Sequence, residues 1–178
     1  MSLRYTPFLL LLGCFTIEEE IHIKKNNKFD LLYKVEIPLF VLQIFSEDSL
    51  NMNLKDERAK YTKIEKDTIK NIGRIEIFYE NLNLDELIVK DSSLKFYKGK
   101  DYIEFYKFLV LSDTLTKNLE PFISDENYYK LSVFSEKKIL QSNADSISEN
   151  KLIWIVPIKK IYQMSLNDTI KIIFRIHL

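Results

Sequence analysis

Reactive side chains are scarce in this chain of 178 residues, which has one cysteine, two histidines and three glycines. A single cysteine cannot form a disulfide within the chain. Two histidines and one thiol are too few for a zinc site of the usual kind, and three glycines leave no glycine-rich loop to hold a phosphate. Basic and acidic residues number 26 each. The absence of a basic excess argues against a nucleic-acid-binding protein.

Groups that could carry out catalysis are equally sparse. His22 and His177 both fall on polar positions of alternating segments, which predicts exposed surface histidines. No serine stands in a G-x-S-x-G elbow. The acidic pairs Asp85-Glu86 and Asp125-Glu126, like Asp145, do not follow the spacing of a calcium loop. We therefore expect no enzyme, no metal site and no other cofactor.

The first fourteen residues have the layout of an export signal. Arg4 precedes the short apolar run Phe8–Leu12, and the only cysteine follows soon after. The ending Leu11-Leu12-Gly13-Cys14 resembles the lipobox of bacterial lipoproteins. That resemblance implies a signal peptide over 1–13 that is removed, acyl chains on Cys14 that anchor the protein to a membrane, and a location in the cell envelope. The alternative is an ordinary buried strand that ends in a core cysteine.

The remaining residues, 14–178, have the composition of one folded domain. Apolar residues make up 46% of the chain and aromatic residues 13%, which is enough to build a core that offsets the entropy of ordering. No repeat and no low-complexity linker divides the sequence. We therefore expect a single domain.

Alternation of apolar and polar residues predicts a β-hairpin at the start of this domain. One series runs over 15–23 and a second over 29–37, with Asn26-Asn27 between them. Asparagine tolerates the positive φ of a tight turn, and Pro38 ends the second strand. Glu19 falls on the apolar face of the first strand, so it must reach solvent or find a partner.

Helical spacing predicts one amphipathic helix over 57–71. The residues that share its apolar face, three or four positions apart, are Tyr61, Ile64, Thr68 and Ile72. Gly73 then stands where a helix C-cap is expected. The all-apolar segment Leu39–Phe45 fits either a short helix or a buried strand, and 114–122 fits a short helix.

Strand patterns continue to the C-terminus. They comprise a strand at 75–79, a hairpin of 94–97 with 102–110 that turns at Gly99, a hairpin of 129–134 with 138–141, a strand at 152–156, a helical turn near 158–163 and a final strand at 170–176. About eight strands with one main helix predict an α+β fold, with a mostly antiparallel sheet on which the helix and short helical turns pack.

The order of these elements resembles the bacterial lipoproteins with an LppM-like domain. The resemblance lies in two segments. In Cys14–Ile23 a strand follows the lipobox directly, and in Lys151–Ile158 a strand that contains Trp154 ends at Val156-Pro157. Members often have Asp-Gly in the first turn, where this chain has Asn26-Asn27. The resemblance implies a curved antiparallel sheet with helices against it, and binding of a lipid or glycolipid in the envelope.

Two interpretations of function remain open because some strands carry large side chains on both faces. Tyr102–Val110 and Leu152–Val156 each need cover on both sides. An apolar cavity would favour a non-catalytic envelope lipoprotein that binds a lipid or another apolar ligand. A filled core would favour a structural lipoprotein that docks another envelope protein. The candidates to line a cavity are Phe40, Phe45, Phe105, Phe108 and Trp154.

Overall fold

The computed structural model describes residues 16–39, 42, 56–109, 125–164 and 168–178. Within them the strands are β1 (Thr16–Ile23), β2 (Phe29–Pro38), β3 (Tyr61–Asp67), β4 (Ile72–Leu82), β5 (Leu94–Lys98), β6 (Tyr102–Leu109), β7 (Tyr128–Ser135), β8 (Ile139–Ser142), β9 (Ser146–Ile147), β10 (Lys151–Pro157) and β11 (Ile170–His177). The helices are α1 (Leu84–Lys90) and α2 (Ile158–Tyr162). The described part of the chain is therefore mostly β-sheet.

Seven of the strands form one sheet, in the order β3-β4-β2-β1-β7-β10-β9. β1 and β2 pair antiparallel as predicted, with Ile17 opposite Val35. Asn27 in their turn has a φ of 60°, a value that asparagine accepts more readily than most residues, and β2 ends at Pro38. On its other side β1 runs parallel to β7. The first predicted hairpin is therefore confirmed, and it forms the middle of this sheet.

The other four strands form a second sheet, in the order β5-β6-β11-β8. The predicted hairpin of β5 and β6 is confirmed, with Leu94 opposite Lys107. Gly99 lies in its turn, where a Cβ atom would lie 2.5 Å from the Tyr102 ring, so a larger residue would have to displace that ring. The predicted C-terminal strand is also confirmed as β11, which pairs antiparallel with β6.

Aromatic rings hold the inward faces of the two sheets together. Phe105 of the four-stranded sheet stacks on Phe174 with ring centres 4.8 Å apart, and it meets the edge of Phe29 of the other sheet at 6.0 Å. Trp154 of the seven-stranded sheet lies 5.8 Å from Phe174. Such pairs contribute about 0.5–1.5 kcal/mol each beyond the burial of their area. The core is therefore the layer between the sheets.

The α+β assignment with a main amphipathic helix over 57–71 is wrong. The segment forms β3 and the turn into β4, where Asn71 has a φ of 56°. β3 is an edge strand whose side chains are mostly exposed. Since neither face is buried, its apolar and polar residues need not alternate, and the few apolar residues happen to have the spacing of a helix. Gly73 lies inside β4, where a Cβ atom would approach the Leu42 side chain to 2.9 Å.

The predicted pairing of 129–134 with 138–141 is also wrong. β7 lies between β1 and β10 in the seven-stranded sheet, whereas β8 pairs with β11 in the other. The Glu136 amide donates to the Ile23 carbonyl at 2.9 Å, and the His177 amide donates to the Lys138 carbonyl at 2.9 Å. The residues between the two strands therefore carry the chain from one sheet to the other.

Helix α1 was absent from the sequence prediction, although its start has a recognisable signal. The Asn83 side chain accepts from the Glu86 amide at 2.9 Å, and the Glu86 carboxylate accepts from the Asn83 amide at 2.7 Å. This capping box opens a helix of seven residues, which is too short for helical periodicity to stand out. The predicted helical turn near 158–163 is confirmed as α2.

The predicted helix at 114–122 and most of the apolar segment Leu39–Phe45 lie outside the residues that the structure describes. Among the helices that the structure describes, none has the length and apolar character needed to cross a membrane.

Candidate functional site

A buried ionic cluster joins the two sheets. Lys107 on β6 and Glu19 on β1 are each 1% exposed, and Asp91 after α1 is fully buried. The Lys107 ammonium lies 2.9 Å from Glu19 Oε2, and it donates to the Asp91 carboxylate and to Ser93 Oγ. The Tyr129 hydroxyl donates to Glu19 at 2.8 Å. Glu19, on the apolar face of its strand as predicted, has therefore found partners inside the core.

One proton balances the charge of this cluster, because two carboxyl groups meet one ammonium. Burial, with the charge of Asp91, raises the pKa of Glu19 from 4.5 to about 8. Burial acts in the same direction on Asp91, but the Lys107 ammonium outweighs it and holds the pKa of Asp91 below its ordinary value. At neutral pH Glu19 is therefore mainly protonated and hydrogen-bonded to the Asp91 carboxylate.

The cluster has no access for a ligand, since all three charged side chains are buried. Its contacts connect β6 and the residues after α1 to the middle strands of the seven-stranded sheet. The cluster is therefore part of the core, and the outer faces of the two sheets are the surfaces open to a binding partner.

The outer face of the four-stranded sheet carries aromatic and basic side chains side by side. Alternation along β6 turns Tyr106 and Phe108 outward, while Phe105 and Lys107 point into the core. Their cross-strand neighbours on β5 and β11 share the outer face. We call this surface the aromatic–basic face, and its residues are Lys95, Tyr97, Tyr102, Glu104, Tyr106, Phe108, Lys171 and Arg175.

Each basic side chain of the aromatic–basic face lies over a ring. The Lys171 ammonium is 4.6 Å from the centre of the Tyr106 ring, and the Lys95 ammonium is 5.4 Å from that of Phe108. The Arg175 guanidinium lies 4.4 Å above the Tyr102 ring. Cations are attracted to the negative face of an aromatic ring at these distances, so the rings hold the basic groups without neutralising them.

Glu104 is the one carboxylate among the named residues of the aromatic–basic face. It accepts from Arg175 Nε at 2.7 Å and from the Tyr106 hydroxyl. The hydrogen bonds from Tyr106 and Arg175 hold the pKa of Glu104 below its ordinary value. Since Arg175 neutralises Glu104, the charges of Lys95 and Lys171 leave the face positive.

The outer face of the seven-stranded sheet has a different pattern, in which opposite charges alternate from strand to strand. One row across β7, β1, β2, β4 and β3 consists of Lys130, Glu18, Lys34, Glu76 and Lys63. We call this row the charge ladder. Opposite charges on neighbouring strands attract, so each side chain of the charge ladder has a partner of opposite charge within the ladder.

A polar groove of about 350 Å³ lies beside the charge ladder. Its lining residues are Thr16, Glu18, Lys34, Val35, Glu36, Glu65, Arg74, Ile75, Glu76 and Tyr128. Arg74 donates to Glu36 at 2.6 Å, and Lys63 lies 2.6 Å from Glu65. In the described residues no group of three or more His, Cys, Asp or Glu is placed to hold a metal.

The residues predicted to line a cavity lie in three different places. Phe105 and Trp154 are in the core between the sheets, 1% and 3% exposed. Phe108 is half-buried on the aromatic–basic face. Phe40 and Phe45 lie outside the described residues, as does Cys14. The structure brings Phe105 and Trp154 together through Phe174, while the cavity itself stays a prediction.

The two histidines lie on the surface, where the alternation placed them. His22 is exposed and stacks on Phe134 with ring centres 4.5 Å apart. His177 is exposed at the end of β11. Sequence reasoning missed Lys107 and Asp91, although one signal was available. Lys107 stands two positions from Phe105 in an alternating strand, so it shares the inward face.

The fold is similar to that of a solved structure. The NMR structure of the folded domain of LppM from Mycobacterium tuberculosis matches with a TM-score of 0.57 at 10% sequence identity, over 91% of this chain and 88% of that chain. No family model matches this chain, and no curated protein matches it in sequence. The resemblance to LppM-like domains is therefore confirmed at the level of the fold.

Proposed function

We propose that this chain is a non-catalytic lipoprotein of the cell envelope, anchored to a membrane through acyl chains on Cys14, and that its domain binds a lipid or another apolar ligand. The proposal depends mainly on one observation. The lipobox-like residues 11–14 are followed at Thr16 by the first strand of a domain with the fold of LppM.

The geometry of the first strand supports anchoring close to the bilayer. Thr16 begins β1, a middle strand of the seven-stranded sheet. Two residues of chain span at most about 7 Å, so an acylated Cys14 would hold the domain against the membrane surface. Two or more acyl chains make such an anchor stable, since one chain alone binds a membrane only marginally.

A partner-docking lipoprotein with a solid core is the second candidate function. The close packing of Phe105 and Trp154 around Phe174 favours it, since these rings touch one another and have little accessible surface. Mass spectrometry of lipids that copurify with the native protein separates the two candidates. A lipid in stoichiometric amount supports the ligand-binding function, and its absence supports the partner-docking function.

Replacing the cysteine tests the anchor. In a bacterial host that processes lipoproteins, we expect Cys14→Ser to move the protein from the membrane fraction to the soluble fraction, because serine lacks the thiol that is acylated. Thr16→Ser is the matched control, a substitution of similar size two residues away that should stay with the membrane. Intact-mass measurement should show acyl chains on the wild type and on this control.

The proposal fails if the Cys14→Ser protein is folded, as judged by circular dichroism, and still resists extraction from membranes. It also fails if the wild type carries no added mass at Cys14.

A further inference from the structure

The outward side chains of a sheet that faces water are normally polar, and the aromatic–basic face departs from this rule. Tyr97 is 57% exposed, and Tyr102, Tyr106 and Phe108 are each partly exposed on neighbouring positions. Tyrosine has an apolar ring and a polar tip, which suits it to the boundary between water and lipid.

Charge complementarity indicates what this face binds. Lys95 and Lys171 are exposed, and in the described part of the chain their closest attractive contacts are rings, not carboxylates. Long basic side chains can lie along apolar surface while their ammonium groups reach phosphates. An anionic lipid surface offers both an apolar layer and negative head groups.

The opposite surface of the protein has the opposite sign. The outer face of the seven-stranded sheet carries eight carboxylates, and they are Glu18, Glu20, Asp30, Glu36, Glu65, Asp67, Glu76 and Glu80. Its strands carry five basic groups, which are Lys34, Lys63, Arg74, Lys130 and Lys151, and Lys24 and Lys60 beside it pair with Asp30 and Glu80. An anionic bilayer would therefore attract the aromatic–basic face in preference to the outer face of the seven-stranded sheet.

The first strand also starts near the basic end of this face. Glu19, three residues after Thr16, contacts Lys107, and Lys107 is followed by Phe108, which lies opposite Lys171. The far end of β1 lies toward the other end of β11, because Glu136 bonds to Ile23 and Lys138 bonds to His177. A lipid on Cys14 would thus enter the bilayer at the end of the molecule where Lys95 and Lys171 lie.

From these observations we infer that the aromatic–basic face docks on the surface of an anionic lipid bilayer. The inference deepens the proposed function and rests on it, because an anchored domain meets the bilayer at high effective concentration. The anchor supplies attachment, and the face sets the orientation, with the domain tilted so that the end with Thr16, Lys95 and Lys171 lies nearest the lipid and the charge ladder faces away from it.

Vesicle flotation with the full chain carrying Cys14→Ser tests docking without the anchor. The probes are vesicles of phosphatidylcholine alone and vesicles with about a third phosphatidylglycerol. We expect binding to the anionic vesicles that weakens when salt is raised from about 0.1 M to about 0.5 M. We expect Lys95→Glu with Lys171→Glu to lower that binding by about tenfold or more, since each lysine near an anionic surface contributes appreciably.

The matched control is Lys63→Glu with Lys151→Glu on the opposite face. It changes the net charge by the same amount, and Lys151 also lies over a ring, 4.7 Å from that of Phe134. Binding retained in the control supports the inference. Equal loss in both double variants overturns it, because the attraction would then depend only on total charge.

Absence of binding to anionic vesicles also overturns the inference, and so does binding to a single-stranded oligonucleotide in preference to vesicles, since stacked rings with basic groups also suit bases. These outcomes are independent of Cys14. Failure of acylation in cells contradicts the proposed function, whereas failure of the vesicle assay contradicts only the orientation proposed here.

Discussion

Lys107 and Lys34 are both lysines within strands beside carboxylates, yet they lie in opposite environments. Lys107 is 1% exposed between the sheets and is bound by Glu19, Asp91 and Ser93. Lys34 lies on the outer face of β2 in the charge ladder, where it donates to Glu20 at 2.9 Å with its side chain 35% exposed.

Water makes the difference between these two lysines. A buried charge loses its hydration, so its partners must replace nearly everything that water supplied. A surface charge keeps most of its hydration and gains little from a partner. The comparison indicates that a lysine–carboxylate pair contributes differently to stability in the core and on the surface. Three substitutions test this conclusion.

The largest effect is expected from Lys107→Met. Methionine fills similar space, but it leaves the Asp91 carboxylate buried without its ammonium, and removing one partner of a buried pair costs about 3–5 kcal/mol. Urea unfolding at pH 7 measures this loss. Adding Asp91→Asn should recover part of the stability, because it removes the uncompensated charge. A loss below about 1 kcal/mol would mean that water reaches Asp91 and that the cluster is not truly buried.

The next effect, which depends on pH, is expected from Glu19→Gln. The pKa of Glu19 is raised to about 8, so the folded state holds a proton that the unfolded chain loses above about 4.5. The contribution of Glu19 to stability should therefore be complete below pH 4.5 and fall as pH rises toward 8, by up to about 1.4 kcal/mol per unit. Glutamine does not titrate, so the variant should lack this fall.

The two partners of Glu19 do not titrate in the same window. The pKa of Asp91 is lowered, so its contribution is lost only as pH falls below about 3.8. The pKa of Lys107 is raised, so its contribution is lost only above about 10.5. Urea unfolding of wild type and Glu19→Gln at several values between pH 5 and 8 is the measurement. Parallel curves would show that Glu19 is ionised throughout and would contradict the assigned proton.

Local alternation carried enough information to predict the first hairpin, β6 and β11, because each of these strands buries one face, and Gly99 marked the turn that joins β5 to β6. Alternation was not sufficient where a strand is mostly exposed, or where a strand pairs with one that is far away in the sequence. The edge strand β3 buries little on either face, so its spacing imitated a helix. The choice of β1 and β10 as partners of β7, in place of the nearby β8, depends on contacts that no local pattern contains.

The site was predictable only in part for the same physical reason. Alternation placed Glu19 on an apolar face, and the need for a partner followed from the cost of burying a carboxylate. The identity of the partner required knowing that β6 packs across from β1, which is tertiary information. The aromatic–basic face likewise depends on the pairing of β6 with β11, which brings Lys171 opposite Phe108.

The smallest effect is expected from Lys34→Met in the charge ladder. The ammonium bonds to Glu20, and although partial burial of Glu20 opposes ionisation, the hydrogen bond from Lys34 holds its pKa below the ordinary value. Partly exposed pairs of this kind contribute about 0.2–1 kcal/mol. A double-mutant cycle with Glu20→Gln, followed by urea unfolding at pH 7, isolates the coupling. A coupling as large as that lost in Lys107→Met would erase the distinction between the two environments, because solvent would then have no part in setting the strength of a lysine–carboxylate pair.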